Sequence, residues 1–321
     1  MTLLWIPAFA GMVLLPILLA AQAADYPPLE SKVMPIQVTP RVYYVQGQPG
    51  VASAANEGFN SNAGFVVTDE GVVVVDALGS PALGDALLKA IRTVTDEPLK
   101  RVILTHYHAD HFYGLEPLKK AGADVWAHRA ALDYLDNGEA ERRLKQRAGE
   151  LFPWVDEKMN LVRADRWLGE ETHFTMGGVR FDVLHFGPAH SPEDVIVAVP
   201  QEGVIFGGDI LVAGRIPFVG DADSRKWLER IERLLALDPK VIVTGHGQVS
   251  RDPRRDLALT RDYLVFLRQA MGKAVEDFVP FDEAYAKTDW GRFAKVPAFD
   301  AANRINAYGT YLLMERELLG K

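Results

Sequence analysis

The run Val102-Ile103-Leu104-Thr105-His106-Tyr107-His108-Ala109-Asp110-His111 constrains this chain more than any other stretch of it. An apolar β-branched segment ends there in three histidines and one aspartate within six residues, and a helix start follows directly. Imidazole nitrogen and carboxylate oxygen are ligands that zinc takes at about 2.0–2.2 Å. Alternate residues of an extended chain point the same way, so His106 and His108 can share one ion. Asp110 and His111, on the turn into the next helix, face a second.

Two further histidines sit in the same local context. Phe186-Gly187-Pro188-Ala189-His190 places one just past a predicted strand, and Val243-Thr244-Gly245-His246-Gly247 places another. Between them, Val204-Ile205-Phe206-Gly207-Gly208-Asp209 is predicted to end a strand in a carboxylate. Seven ligands at one edge divide into two sets, with Asp209 able to bridge cations about 3.5–4 Å apart. Short β-branched runs alternate with helical periodicity along the chain, from a strand at Met34–Val38 to helices at His111–Ala121, Ser224–Leu237, Arg254–Glu276, Asp282–Lys287 and Ala301–Leu319. The order predicts an α/β fold, a four-layer αββα sandwich with a helical C-terminal extension. No Pro- or Ser-rich linker divides the chain, so residues 24–250 form one catalytic domain and 251–321 the extension packed on it. The segment Gly47 to Asn62 lacks periodicity and has two open readings, a solvated hairpin tip or a flap over a site.

These motifs resemble those of the metallo-β-lactamase-fold hydrolases, from about Val38 to Gly247. The resemblance implies a first zinc held by His106, His108 and His190, and a second held by Asp110, His111 and His246, with Asp209 between them. It gives Asp76 a supporting role behind the ligands. The stretch Ala189-His190-Ser191-Pro192-Glu193-Asp194 is similar to zinc β-lactamases that carry a cysteine ligand, but here the cysteine position holds Asp209, as in glyoxalase-II-like thioesterases, lactonases and phosphodiesterases. Where those lactamases have a lysine for the drug carboxylate, this chain has Val212; Arg215, three positions on, has two readings, a substitute for that lysine or, favoured here, a surface or loop-anchoring residue. Arg215 to Asp221 is also similar to periplasmic zinc hydrolases grouped with quinoprotein-relay and sulfur-oxidation systems. The implied activity is a dinuclear zinc hydrolase in which a bridging hydroxide, oriented by catalytic Asp110, attacks an ester, thioester, lactone or amide. The alternative is a one-iron persulfide dioxygenase-like oxidoreductase using His106, His190 and Asp209.

The remaining residues narrow the setting. With 35 Lys+Arg against 43 Asp+Glu, a formal charge of −8 and no long basic run, a nucleic-acid partner is excluded and a small-molecule substrate expected. Met1 to Ala23 holds no charged side chain and ends in Ala21-Gln22-Ala23, which predicts a secretory signal peptide over 1–23, a periplasmic or secreted mature protein and no stable membrane anchor after cleavage. The leader departs from the usual pattern in lacking a basic amino-terminal region. The chain has no cysteine, which is compatible with an oxidising compartment. Oligomeric state is not legible. His128, His173 and His185 are read as structural, with His173 in a polar turn; Tyr107 is expected to point away from its ligand neighbours, and Phe152, Trp154 and Trp167 are read as core or cleft lining.

Overall fold

The computed structural model describes residues 26–220 and 222–320, so the predicted leader lies outside the described residues. In chain order the elements are β1 (Ile36–Gln37), β2 (Val42–Val45), β3 (Ala63–Thr68), β4 (Gly71–Val75), α1 (Pro81–Arg92), β5 (Leu99–Ile103), α2 (Ala109–Phe112), α3 (Leu115–Lys120), β6 (Asp124–His128), α4 (Ala131–Asp136) and α5 (Glu139–Leu151). Then follow β7 (Arg166–Leu168), β8 (Glu171–Met176), β9 (Val179–His185), β10 (Val195–Val199), β11 (Val204–Val212), α6 (Ser224–Ala236), β12 (Val241–His246), α7 (Pro253–Glu276), α8 (Phe281–Lys287) and α9 (Phe299–Leu318). Among the described residues no helix is long and apolar enough to cross a membrane.

Strands β1 to β7 pair in sequence order into one sheet, antiparallel as far as β4 and parallel from β4 to β7. The second sheet runs β12-β11-β10-β9-β8, antiparallel except for the parallel β11–β12 pair. β4 is all valine after its glycine and every residue is buried, as a strand covered on both faces must be. Alternation along the strands sends Val66, Val73, Val75 and Ile103 of the first sheet against Phe181, Val197, Phe206 and Val243 of the second. The opposite face of the first sheet packs under α1, α3 and α5, through Val74, Val102, Leu83, Leu87, Leu118 and Leu144. That of the second packs under α6 to α9, through Ile205, Ile242, Trp227, Ile231, Leu264 and Ala307. Three apolar layers therefore separate four layers of backbone, the predicted αββα sandwich with its helical C-terminal region.

Helix starts follow local chemistry. Ser80 caps α1, its hydroxyl accepting from Leu83 N–H, with Pro81 in the first turn; Asp223 and Asp252 do the same for α6 and α7. Four expectations need correction. The helix predicted over 111–121 is two, α2 and α3, broken where Gly114 packs so close that a Cβ would lie 1.8 Å from the Ala77 carbonyl oxygen. The strand predicted over 34–38 is only Ile36–Gln37, an exposed edge pair. His173 lies in β8 rather than in a turn, because that edge strand alternates exposed and half-buried residues and is too polar to read as a strand. Asp209 does not end its strand: β11 runs on to Val212, and shifts in its register with β12 after Phe206 and after Gly208 interrupt the regular ladder around Asp209.

Candidate metal centre

All seven predicted ligands converge at one edge of the sandwich, six at or beyond strand ends and Asp209 inside β11. His106 to His111 follow β5, His190 lies in the loop from β9 to β10, Asp209 is in β11 and His246 closes β12. The ligand atoms of His106, His108 and His190 lie within 4.8 Å of one another, and so do those of Asp110, His111 and His246. Asp209 sits between the two sets. Its Oδ2 is 3.4 Å from His190 Nε2 and 3.3 Å from His246 Nε2, and its Oδ1 is 3.5 Å from His111 Nε2. Asp110 Oδ2 is 3.4 Å from His246 Nε2. The backbone is shaped to permit this: a Cβ on Gly245 would lie 1.9 Å from Asp209 Oδ1, so only glycine lets β12 pass so near the carboxylate.

Behind the ligands stands a ring of hydrogen bonds that aims them. Asp76, held in the left-handed region at φ 63°, places Oδ2 2.9 Å from His111 Nδ1 while its Oδ1 accepts from Thr105 N–H at 2.8 Å. That strained backbone is sustained by a buried, fully engaged carboxylate. His246 Nδ1 donates to the Asn60 carbonyl at 2.6 Å and His190 Nδ1 to the Phe218 carbonyl at 3.0 Å. A carbonyl only accepts, so both rings carry their proton on Nδ1 and offer Nε2 as a ligand.

Burial and mutual charge set the electrostatics. Burial, then the neighbouring histidines, push His106 well below the ordinary histidine range, and burial with His190 pushes His108 down to about 3. Both rings are neutral at pH 7, the form that binds metal. Burial alone would raise the carboxyls of Asp110 and Asp209, but His111 and His246 pull both below the carboxylate range. Burial opposes charge on His111 too, yet Asp76, Asp209 and Asp110 hold it well above its ordinary value. The carboxylates thus attract positive charge to this point.

Whether a cation fits is decided by unpaired atoms. His106 Nε2, His111 Nε2 and Asp209 Oδ1 are buried with no hydrogen-bond partner among the described residues. Unpaired buried polar atoms are costly, and three of them pointing into one cluster of histidine and aspartate is the donor set a divalent metal satisfies.

Other residues fall into supporting places. Val212 is buried in β11 and offers no polar group. Arg215 is 7% exposed and donates to the Gly50 carbonyl at 2.9 Å, so it ties the β11–α6 connection to the 47–62 segment. The Tyr107 ring is buried against Phe112 and Trp167, away from the ligands. Phe152 is 68% exposed and so belongs to no core. His128 and His185, with Glu170, form a second cluster elsewhere, but their rings stack face to face at 3.7 Å, and two parallel stacked rings cannot both hold one ion in plane.

Sequence reasoning left the 47–62 segment open between a solvated tip and a flap over a site; residues 56–62 are buried, and which of them serve the centre was not foreseen. Asn60 Nδ2 donates to Asp110 Oδ2 at 3.0 Å, Ser61 Oγ donates to the Asp110 carbonyl, and Asn62 Nδ2 donates to the Thr244 carbonyl at 2.8 Å. The only signal was three polar residues in a row immediately before a buried strand. It also missed Glu193, whose buried carboxylate accepts from Tyr107 N–H at 3.1 Å, between two ligands.

A family model described as the metallo-beta-lactamase superfamily matches residues 56–246. The chain is 26% identical over 200 residues to a type 2 metallo-beta-lactamase of Bacillus cereus, covering 61% of this chain and 70% of that protein. It is 23% identical over 238 residues to a linear primary-alkylsulfatase of a Pseudomonas species, covering 63% of this chain but only 45% of that longer protein. Among solved structures, a metallo-beta-lactamase from Pontibacter korlensis matches 72% of this chain and 98% of its own, at 23% identity and a TM-score of 0.58. A stereoselective inverting sec-alkylsulfatase from Pseudomonas sp. matches 88% of this chain and 50% of its own, at 20% identity and a TM-score of 0.63.

Proposed function

The chain belongs to the metallo-beta-lactamase superfamily, and from that premise we propose that it is an exported dinuclear zinc hydrolase acting on an ester, thioester, lactone or amide of a small molecule. The observation that carries the reading is the pair of complete triads, His106–His108–His190 and Asp110–His111–His246, with Asp209 in reach of both. Two zinc ions would supply Lewis acidity and a water whose pKa falls to about 7. The chain's own residues would do the rest. His106, His108 and His190 would hold the first ion; Asp110, His111 and His246 the second; Asp209 would bridge. Asp110, steadied by Asn60, would orient the attacking water while holding the second ion. The one-iron reading needs only His106, His190 and Asp209, and leaves the second triad without a task.

A second reading, sulfate-ester hydrolysis, is favoured by one observation. It is the likeness, at 23% identity over 238 residues, to a linear primary-alkylsulfatase. The test is metal analysis of the purified protein followed by one screen with chromogenic lactone, thioester, phosphodiester, β-lactam and aryl sulfate substrates. Zinc near two equivalents is expected, with esters or lactones cleaved faster than β-lactams, because Val212 supplies no cation for a drug carboxylate. One equivalent of iron would overturn the zinc-hydrolase reading, and β-lactams as the fastest substrates would overturn the expected preference for esters and lactones; sulfate turnover above all others would establish the second reading instead. Secretion is tested by mass spectrometry of the exported protein, where a chain beginning after Ala23 is expected and an intact Met1 would refute it.

A further inference from the structure

Asn306 ties the helices beyond residue 250 to the segment behind the metal centre. Asn306 of α9 is fully buried and uses its whole amide. Its Oδ1 accepts from Val219 N–H at 2.8 Å and from Gly220 N–H at 3.2 Å, and its Nδ2 donates to the Pro217 carbonyl at 2.7 Å and to Tyr263 Oη of α7 at 3.1 Å. Residues 217, 219 and 220 are thereby fixed by α9. The residue among them that Asn306 leaves free is Phe218, whose carbonyl is the acceptor for His190 Nδ1. A second strut, Ile216 N–H to the Pro297 carbonyl at 2.9 Å, comes from the connection between α8 and α9.

We propose that Asn306 is a positioning residue for the first metal site: through the 217–220 backbone it sets the Phe218 carbonyl that holds the His190 imidazole with Nε2 facing His108 and Asp209. This rests on the ligand assignment above. A partner that fixes the tautomer and plane of a ligating histidine is worth roughly 10–100-fold in metal affinity, and an effect relayed through one more bond belongs at the lower end of that range. His246 takes its carbonyl from Asn60 on the other side of the centre, so the second site is independent of Asn306.

The experiment measures zinc affinity by chelator competition in two backgrounds: H246A, in which the first site alone is complete, and H108A, in which the second is. Adding N306A is expected to weaken zinc about tenfold in the H246A background and to leave it unchanged in the H108A background. N306D keeps an oxygen for Val219 and Gly220 but sets a carboxylate against the Pro217 carbonyl, and is expected to act in the same direction; if N306A does not fold, N306D decides. Y263F removes the two bonds that Tyr263 Oη makes between α7 and α9, from Asn306 Nδ2 and to Asn303 Oδ1, and leaves the Asn306 bonds to 217, 219 and 220, so it is expected to lower the melting temperature without moving either affinity. Equal zinc affinity in H246A with and without the Asn306 changes would overturn the inference, and so would equal losses in both backgrounds or a Y263F effect on the first site as large as N306A. If the H246A or H108A parent itself holds no zinc, the ligand assignment falls first and the inference with it.

Discussion

Asp209 is the residue on which the two halves of the centre depend, since one of its oxygens lies within 3.4 Å of imidazole nitrogens from both triads. Asparagine would keep the shape but lose the charge that balances two divalent cations. Asp209→Asn should therefore weaken the second site, which has a carboxylate and two histidines, more than the three-histidine first site. Hydrolysis should drop by roughly 100-fold or more, as when transition-state charge stabilisation is lost. Chelator titration and initial rates check both halves; a variant with two tightly held zinc ions and near-normal turnover would refute them. At this scale the seven candidate side chains were legible because four of them are packed into six consecutive residues and the other three each follow an apolar run. Asn60, Glu193 and Asn306 were not. Their partners lie 50, 86 and 87 residues away, and a lone amide or carboxylate carries no local pattern that marks it as a support.

Elements read well where burial imposed a period and poorly where it did not. The β4 valines and the apolar faces of α1 and α6 announce themselves, but β7 has three residues and β8 half-exposes its polar side chains, so both escaped periodicity. These two strands bring the edges of the sheets together, and His128 at the end of β6 stacks there on His185 at the end of β9. Burial, then the charge of His185, push His128 from 6.5 down to about 4. The folded state therefore favours the neutral ring, and its contribution to stability is present above about pH 6.5 and lost as pH falls toward 4. His128→Phe keeps a stackable ring that does not titrate. Urea midpoints of wild type and variant, both measured with chelator present, should diverge across that window, the wild type losing stability more steeply as pH falls. Parallel curves would show that this ring is not a source of acid sensitivity.

At the scale of the whole molecule the centre is a joint between sheets. The ligands from His106 to His111 hang from the first sheet, whereas His190, Asp209 and His246 belong to the second, so any ion bound by both sets ties the sandwich together at its open edge. The four layers and the helical tail followed from the order of strands and helices, but how the tail meets the 217–220 segment required the contacts of Asn306, which no spacing in the sequence encodes. A joint of this kind couples metal affinity to folding, because unpaired nitrogens and clustered carboxylates are what the folded state otherwise has to bury. If zinc binds the folded chain at a thousandfold excess over its dissociation constant, linkage gives about 4 kcal/mol of stability per site. For a domain of this size that corresponds to a melting temperature raised by roughly 10 °C. Chelation should therefore lower the melting temperature by that order, and re-addition of zinc should restore it. Protein shown by elemental analysis to have lost its metal, yet melting where the loaded protein melts, would mean that the two triads do not form a preformed dinuclear site.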